Sequence, residues 1–173
     1  EDFEIAPGVV LPGGTDYDFI RYAVSLSTAN RRVVALRPRV EWGTFFSGDR
    51  VEYSLGLDLR PRTGIRINTT YEYNTVSLVE GDFDTRLIRV VADTQFSPIM
   101  YLVNNVQYDS VSQVVGWQAR FRWILKPGND VFLVYTHNWI DSVDPLDPLD
   151  PHTSRFRTLD RRTAAKVVYT KRF

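Results

Sequence analysis

The stretch WQARFRWIL at residues 117–125 alternates strictly between apolar and polar side chains as far as Trp123. In an extended chain, successive side chains point to opposite faces, so two sets of residues separate. One face would carry Trp117, Ala119, Phe121, Trp123 and Leu125, and the other Gln118, Arg120 and Arg122. A β-strand has this period of two, whereas an amphipathic helix repeats every three to four residues. The stretch therefore predicts a β-strand with one apolar and one charged face.

The same alternation recurs along most of the 173 residues, carried by β-branched and aromatic side chains. It predicts strands at about 17–28, 31–44, 50–60, 64–75, 84–96, 99–109, 114–126, 130–140 and 160–173. Short turns such as KPGND alternate with longer links such as FSGD and VSLVEGDFD, a spacing typical of an up-and-down antiparallel meander. We expect a single all-β domain over 1–173, an antiparallel up-and-down transmembrane β-barrel of about 8–10 strands or the C-terminal part of a larger barrel. Residues 1–16 form an N-terminal segment, in which a partial strand within 2–10 is an open alternative.

Alternation alone is compatible with two kinds of sheet: a soluble sandwich with its polar face in water, or a membrane barrel with lipid outside and a polar lumen. The aromatic residues favour the barrel, because Trp and Tyr prefer a membrane interface and would collect near the strand ends. Phe96 and Phe132 would join them at the tight-turn ends. The predicted interface aromatics are Trp42, Tyr53, Tyr71, Tyr73, Tyr108, Trp117, Trp123, Trp139, Tyr169 and Phe173.

The polar faces of the same strands would point into the lumen of such a barrel. Their charged residues are Arg37, Arg39, Glu41, Asp58, Arg66, Glu72, Arg120, Arg122, Asp160, Arg162 and Lys166. In a narrow barrel, mixed charges pair across the interior and close it, whereas a wider one leaves a wet channel. We expect the paired, closed interior for this chain.

Composition excludes several classes of function. Lys and Arg number 21 against 21 Asp and Glu, and the basic stretches at 37–39 and 60–63 are isolated, so nucleic acid is not an expected partner. Cysteine is absent, which excludes disulfides and Cys-ligated metals. No apolar run approaches the ~18 residues of a spanning helix. Because the chain starts at Glu1 without a leader, it is either a processed mature chain or a piece of a longer protein.

Catalytic and metal chemistry finds little support. The imidazoles are His137, on an apolar strand face where a packing role is expected, and His152, in a loop. Asp141, Asp144, Asp147 and Asp150 are spaced like Ca²⁺ ligands, but the Gly turn and terminal Glu of a calcium loop are missing. We predict no catalytic residue, metal or cofactor and no enzymatic activity, while an outer-membrane hydrolase using either histidine is the enzyme alternative.

Several stretches resemble a known family of bacterial envelope proteins. They are GTFFSGDR, LRPRTGIRINTTYEYNTVSL, FSPIMYLVNNVQYDSVSQVVGWQARFRWILKPGNDVFLVYTHNW and RFRTLDRRTAAKVVYTKRF. They are similar to the C-terminal barrel domain, of unknown function, of proteins that carry an N-terminal family-nine-like carbohydrate-binding domain. The resemblance implies a bacterial outer-membrane location and no settled activity. The C-terminus is also similar to the signal read by the barrel-assembly machinery, with Val167, Tyr169 and Phe173 fitting it and Lys171 departing from it.

Together these features predict an outer-membrane anchor or scaffold, with a link to surface carbohydrate handling implied by the resemblance. Its partners would be outer-membrane lipid, the assembly machinery during biogenesis and other envelope subunits. Two alternatives stay open: a porin-like pore or transport component for small solutes, and a soluble β-sandwich binding module.

Overall fold

A computed structural model of the chain describes residues 2–29, 31–141 and 156–170. These residues form eleven β-strands and contain no helix. The strands are β1 (Phe3–Ala6), β2 (Val9–Leu11), β3 (Arg21–Ser25), β4 (Val34–Phe45), β5 (Gly48–Arg62), β6 (Ile65–Leu78), β7 (Gly81–Ser97), β8 (Met100–Asp109), β9 (Val114–Lys126), β10 (Asn129–Asp141) and β11 (Phe156–Val168).

The strands β3 to β11 form one nine-stranded sheet whose spatial order is the order of the chain. Every neighbouring pair is antiparallel, so the sheet is an up-and-down meander. This confirms the all-β class and the antiparallel meander expected from the sequence. Within the sheet, β3 and β11 each pair on one side only.

Two predicted links are wrong. FSGD and VSLVEGDFD were expected as longer loops, but β4–β5 and β6–β7 are joined by only two residues each, 46–47 and 79–80. The strands are longer because Val76 and Phe83, which sit in the predicted loop, pair directly across the ladder. Their apolar side chains are covered by a distant part of the chain. The residues of the turn itself give no sign of this cover. The four-residue link 110–113 remains as a longer connection.

The cover is an antiparallel hairpin made by β1 and β2. It places two strands where the sequence indicated at most one. Its inward residues Ala6, Val9 and Leu11 are buried against Val76 and Leu78 of β6. We call this group the hairpin core. Phe45, Phe46 and Phe83 pack around it.

Replacing Val9 with Ala should loosen this hairpin without unfolding the large sheet. Val9 is 5% exposed, and removing two methyl groups from a packed site costs about 1–2 kcal/mol. We expect faster amide exchange in β1 and β2 and little change in β8–β10. Val10, the exposed neighbour, supplies the matched control because Val10→Ala removes the same atoms from the solvent side. Equal effects of the two substitutions would contradict the packing described for the hairpin.

Candidate functional site

The nine-stranded sheet has two chemically different faces, which the pairing register defines because directly opposed residues lie on the same face. The first, which we call the apolar face, is crossed by a row of paired residues from β10 to β4. The row is Trp139, Val115, Tyr108, Ile88, Tyr71, Leu55 and Pro38. No acidic or basic residue interrupts it.

The apolar face is uncovered in the described part of the chain. Tyr53 is 49% exposed, Leu55 42% and Leu133 44%. The hydrophobic residues that are buried among the described residues all belong to the hairpin or to the opposite face of the sheet. A soluble protein rarely leaves so wide an apolar surface in contact with water. The described residues thus leave one broad apolar face of the sheet without a covering layer.

Of the ten predicted interface aromatics, the eight that fall within strands are all on the apolar face. They are Trp42, Tyr53, Tyr71, Tyr73, Tyr108, Trp117, Trp123 and Trp139. Tyr169 follows β11 and is exposed, and Phe173 lies outside the described residues. Near the ends of β4–β7 that carry the turns 46–47 and 79–80, the rings pair: Tyr53 stacks on Tyr73 at 6.5 Å, and the Arg86 guanidinium lies 5.4 Å from the Tyr73 ring centroid.

The expectation for Phe132 is wrong. Phe132 pairs directly with Arg122 and Lys166, which places it on the opposite face from the aromatic belts. The Arg122 guanidinium lies 5.1 Å from its ring centroid. The ring therefore contributes a cation–π contact among charged residues.

The second face, which we call the charged face, collects all eleven charged residues singled out in the sequence. They are Arg37, Arg39, Glu41, Asp58, Arg66, Glu72, Arg120, Arg122, Asp160, Arg162 and Lys166. Asp160 and Arg162 form an ion pair on the edge strand β11, and Arg39 pairs with Glu41 on β4. By contrast, Glu72, Arg120 and Lys166 make no hydrogen bond or ion pair with the residues that the structure describes.

Asp58 is the centre of the densest part of the charged face. Its carboxylate accepts a hydrogen bond from Arg37 Nη1 at 2.5 Å, two from Arg66 at 3.0 and 3.1 Å, and one from Asn68 Nδ2 at 3.2 Å. The Asp58 side chain is 1% exposed, whereas Arg37 and Arg66 keep 39% and 50% of theirs in solvent. The buried carboxylate thus links β4, β5 and β6, and the four hydrogen bonds, three to Oδ1 and one to Oδ2, satisfy the two oxygens that burial removes from water.

A second cluster lies near the turn between β9 and β10. Arg122 donates hydrogen bonds to Asp130 at 2.7 Å and to the Tyr101 hydroxyl at 3.0 Å. Sequence patterns placed Asp130 beside a turn and gave Tyr101 no role. The cross-strand register identifies Tyr101, which directly opposes Arg122. Asp130 directly opposes Ile124 and reaches Arg122 diagonally.

The two faces exchange their polarity beyond Tyr53, at the ends of β5–β7 that lie near the turns 46–47 and 79–80. There the apolar-face row becomes Asp49, Ser77 and Asp82, with the Ser77 hydroxyl donating to Asp82 at 2.6 Å. The opposite face at the same level carries Val76 and the hairpin core. The uncovered apolar surface therefore ends at a sharp boundary, marked by the Tyr53 and Tyr73 pair.

His137 lies within a hydrogen-bonded group on the apolar face. Its Nδ1 is joined to the Tyr135 hydroxyl at 3.1 Å and its Nε2 to Thr158 Oγ1 at 3.0 Å. The imidazole stacks on Trp139, with ring centroids 3.9 Å apart. No acidic residue hydrogen-bonds to it, so the arrangement is that of a packed, satisfied side chain. His152 lies outside the described residues.

Tyr135→Phe tests the contribution of this group. Loss of the hydroxyl leaves His137 Nδ1 without that partner, and we expect the free energy of unfolding to fall by about 1 kcal/mol. Equilibrium urea unfolding in detergent micelles, followed by tryptophan fluorescence, measures the change. Tyr108→Phe is the control, since the Tyr108 hydroxyl has no hydrogen bond among the described residues. A Tyr108 effect as large as that of Tyr135 would remove the assigned role.

The basic stretches at 37–39 and 60–63 separate in space. Arg37 and Arg39 belong to the charged face, whereas Arg60 and Arg62 line a groove of about 890 Å³ at the β5–β6 turn. The groove also contains Asp93 and Tyr101, so its charge is mixed.

Within the described ranges, no group of three or more His, Asp or Glu side chains is arranged to hold a metal ion. None of those residues forms a helix long and apolar enough to cross a membrane. Comparisons of the chain with models of protein families, with curated proteins and with solved structures find no match.

Proposed function

We propose that this chain is a membrane-embedded β-sheet that serves as an anchor or scaffold in a bacterial outer membrane. Its apolar face would contact lipid hydrocarbon, and its charged face would line a closed barrel interior. The observation that carries the proposal is the uncovered apolar face, continuous across the sheet, combined with a charged face that holds the buried Asp58.

The height of the apolar face fits a membrane. On β4–β10 it spans residues 34–42, 51–59, 65–73, 88–94, 100–108, 115–123 and 131–139, which we call the band. Nine residues, the length of the band on six of these seven strands, cover about 26 Å, or about 20 Å along the membrane normal at a tilt of about 40°. The apolar belt of an outer-membrane barrel is about 25 Å tall. The aromatic residues at the ends of the band are those expected at the lipid–water interface.

A soluble sandwich accounts for fewer of these features. It would need a second layer over the apolar face, and the described residues form none. It would also leave the polarity switch at Asp49, Ser77 and Asp82 unexplained, whereas a lipid-embedded sheet requires polar outward side chains once the strands leave the hydrocarbon.

The paired charges favour an anchor over a transport protein. Asp58 and Arg122 are held in hydrogen-bonded clusters, which would fill a narrow interior. Insertion by the barrel-assembly machinery and contact with other envelope subunits belong to the same proposal. A link to surface carbohydrate handling rests on the family resemblance alone.

A pore for small solutes is the second candidate function. It is favoured by Glu72, Arg120 and Lys166, which have no partner among the described side chains and would be free to act on a passing ion. Arg120→Glu should then shift the ion selectivity of single-channel currents in planar bilayers. An absence of currents from both proteins would support the anchor.

The four tryptophans allow a direct test of the membrane proposal, because all of them lie on the apolar face. We expect lipids brominated on their acyl chains to quench the intrinsic fluorescence of the reconstituted protein strongly. Bromines at shallow acyl positions should quench more than deep ones, since Trp42, Trp123 and Trp139 lie near the ends of the band. Strong quenching by aqueous iodide and none by brominated lipid would contradict the proposal.

A further inference from the structure

The strand β11 has a long edge that pairs with none of the other described strands. It has thirteen residues and pairs only with β10 among the described strands. Alternate N–H and C=O groups of such an edge have no partner, and hydrocarbon offers none. Natural sheets cover, shorten or pair edges of this kind.

Strand direction excludes a simple antiparallel closure between the two edges. Nine consecutive antiparallel strands make β3 and β11 run the same way. Pairing them, within one chain or between two copies inserted in the same orientation, would give a parallel seam. An antiparallel seam requires an odd number of additional strands.

Arg161 gives the β11 edge a specific chemistry. It pairs directly with His137, so its side chain lies on the apolar face. On the apolar face, the band on β4–β10 carries no Asp, Glu, Lys or Arg; Arg86, opposite Tyr73, lies just beyond the band on β7. Arg161 is therefore an exception at the level of His137. Arg161 makes no hydrogen bond or ion pair with the described residues, and an unpaired guanidinium facing lipid is destabilising.

We infer that a further antiparallel β-strand pairs with β11 and presents a carboxylate to Arg161 on the apolar face. The inference rests on the proposed membrane location. A carboxylate matches the guanidinium in charge and geometry, and the rest of the added strand would be apolar on the same face. The strand β3 does not qualify, because it runs in the wrong direction and its apolar-face residues Tyr22 and Val24 offer no carboxylate.

Hydrogen exchange on the protein as it occurs in its natural membrane, extracted in lipid nanodiscs, tests the pairing. An unpaired β11 would exchange alternate amides within minutes, whereas a strand paired on both sides would be protected at every position. We expect protection throughout β11. Rapid exchange of alternate amides would overturn the inference, even if brominated lipids still quench the tryptophans and so leave the membrane location standing.

Substitutions at Arg161 test the charge. Arg161→Glu should make β11 amides exchange about tenfold faster or more, because it places two acids together. Arg161→Met is a second variant, included in case Arg161→Glu fails to insert. If Arg161 faced only lipid, the methionine would be neutral or stabilising. If Arg161 is paired with a carboxylate, losing the guanidinium should still accelerate the exchange of the β11 amides. Lys166→Glu, on the charged face of the same strand, is the control. Unchanged exchange in both Arg161 variants would overturn the carboxylate partner.

The chain contains no cysteine, so introduced cysteines can test whether β11 pairs instead with β3 of the same chain or of a second copy. A protein carrying Val24→Cys and Ala165→Cys would form an intramolecular disulfide if β3 closed on β11 of the same chain. It would form a disulfide-linked dimer if a second copy did so. Either product would overturn the inference, and we expect neither while β11 stays protected.

Discussion

Leu55→Lys is expected to prevent stable membrane insertion. Leu55 lies in the middle of the band on β5, opposite Pro38 and Tyr71, and is 42% exposed. A lysine near the middle of a lipid-facing barrel surface costs about 2–4 kcal/mol. Since each 1.4 kcal/mol is a factor of ten in an equilibrium constant, the equilibrium constant for insertion should fall by about thirtyfold or more, and the carbonate-resistant fraction in membranes should fall with it. Quenching by brominated lipids should fall with it.

Ser54→Lys is the matched control for this prediction. Ser54 is the preceding residue of β5, and its side chain lies on the charged face between Arg39 and Glu72. The same charge added there meets an acid across the strand, so insertion should be unchanged within a factor of about three. If Leu55→Lys were as well inserted as Ser54→Lys, or if it simply improved solubility in water, the apolar face would not contact lipid.

Asp58→Ala is expected to lower the free energy of unfolding by about 3 kcal/mol. Breaking a buried ion pair by removing one partner costs about 3–5 kcal/mol, and the lower end applies because Arg37 and Arg66 keep much of their side chains in solvent. The loss combines four hydrogen bonds to the carboxylate with a small cavity. Urea unfolding in detergent micelles, with tryptophan fluorescence as the signal, measures it.

Two further variants show whether the loss of stability comes from the Asp58 cluster or from removing a charge in general. Asp160→Ala removes a partly exposed acid of the same face that pairs with Arg162, 82% exposed, and accepts one hydrogen bond from Asn138, so it should cost about 1 kcal/mol. Replacing Arg37, Asp58 and Arg66 together should cost less than Asp58→Ala alone, because no unpaired charge is left. An additive triple variant would show that the ion pairs contribute little to stability.

Much of the sheet could be predicted because each strand carries its own alternation. The positions 117–125 assign Trp117 and Arg120 to opposite faces without any tertiary information, and the register agrees. Phe132 shows the limit. Its ring suggested an interface, but strand phase places it beside Arg122, and a contact between a cation and a ring is invisible to hydrophobicity.

The hairpin core and the Asp58 cluster could not be predicted for a common reason. Val9 meets Val76 across 67 positions of sequence, and Asp58 meets Arg37 and Arg66 on two other strands. Alternation along one strand shows which face a residue is on, but it does not show which residues of the neighbouring strands lie beside it. Only the register, set by the two-residue turns at 63–64 and the other strand ends, brings these side chains together.

The meander has a consequence for how such a sheet changes over evolutionary time. Because each strand bonds only to its neighbours in sequence, a duplicated or deleted hairpin adds or removes two strands without disturbing any other pairing. Changes of that kind alter the width of the sheet but leave the relative direction of β3 and β11 the same. A family that varies by hairpin duplication would therefore keep the two edge strands of the described sheet running in the same direction in every member.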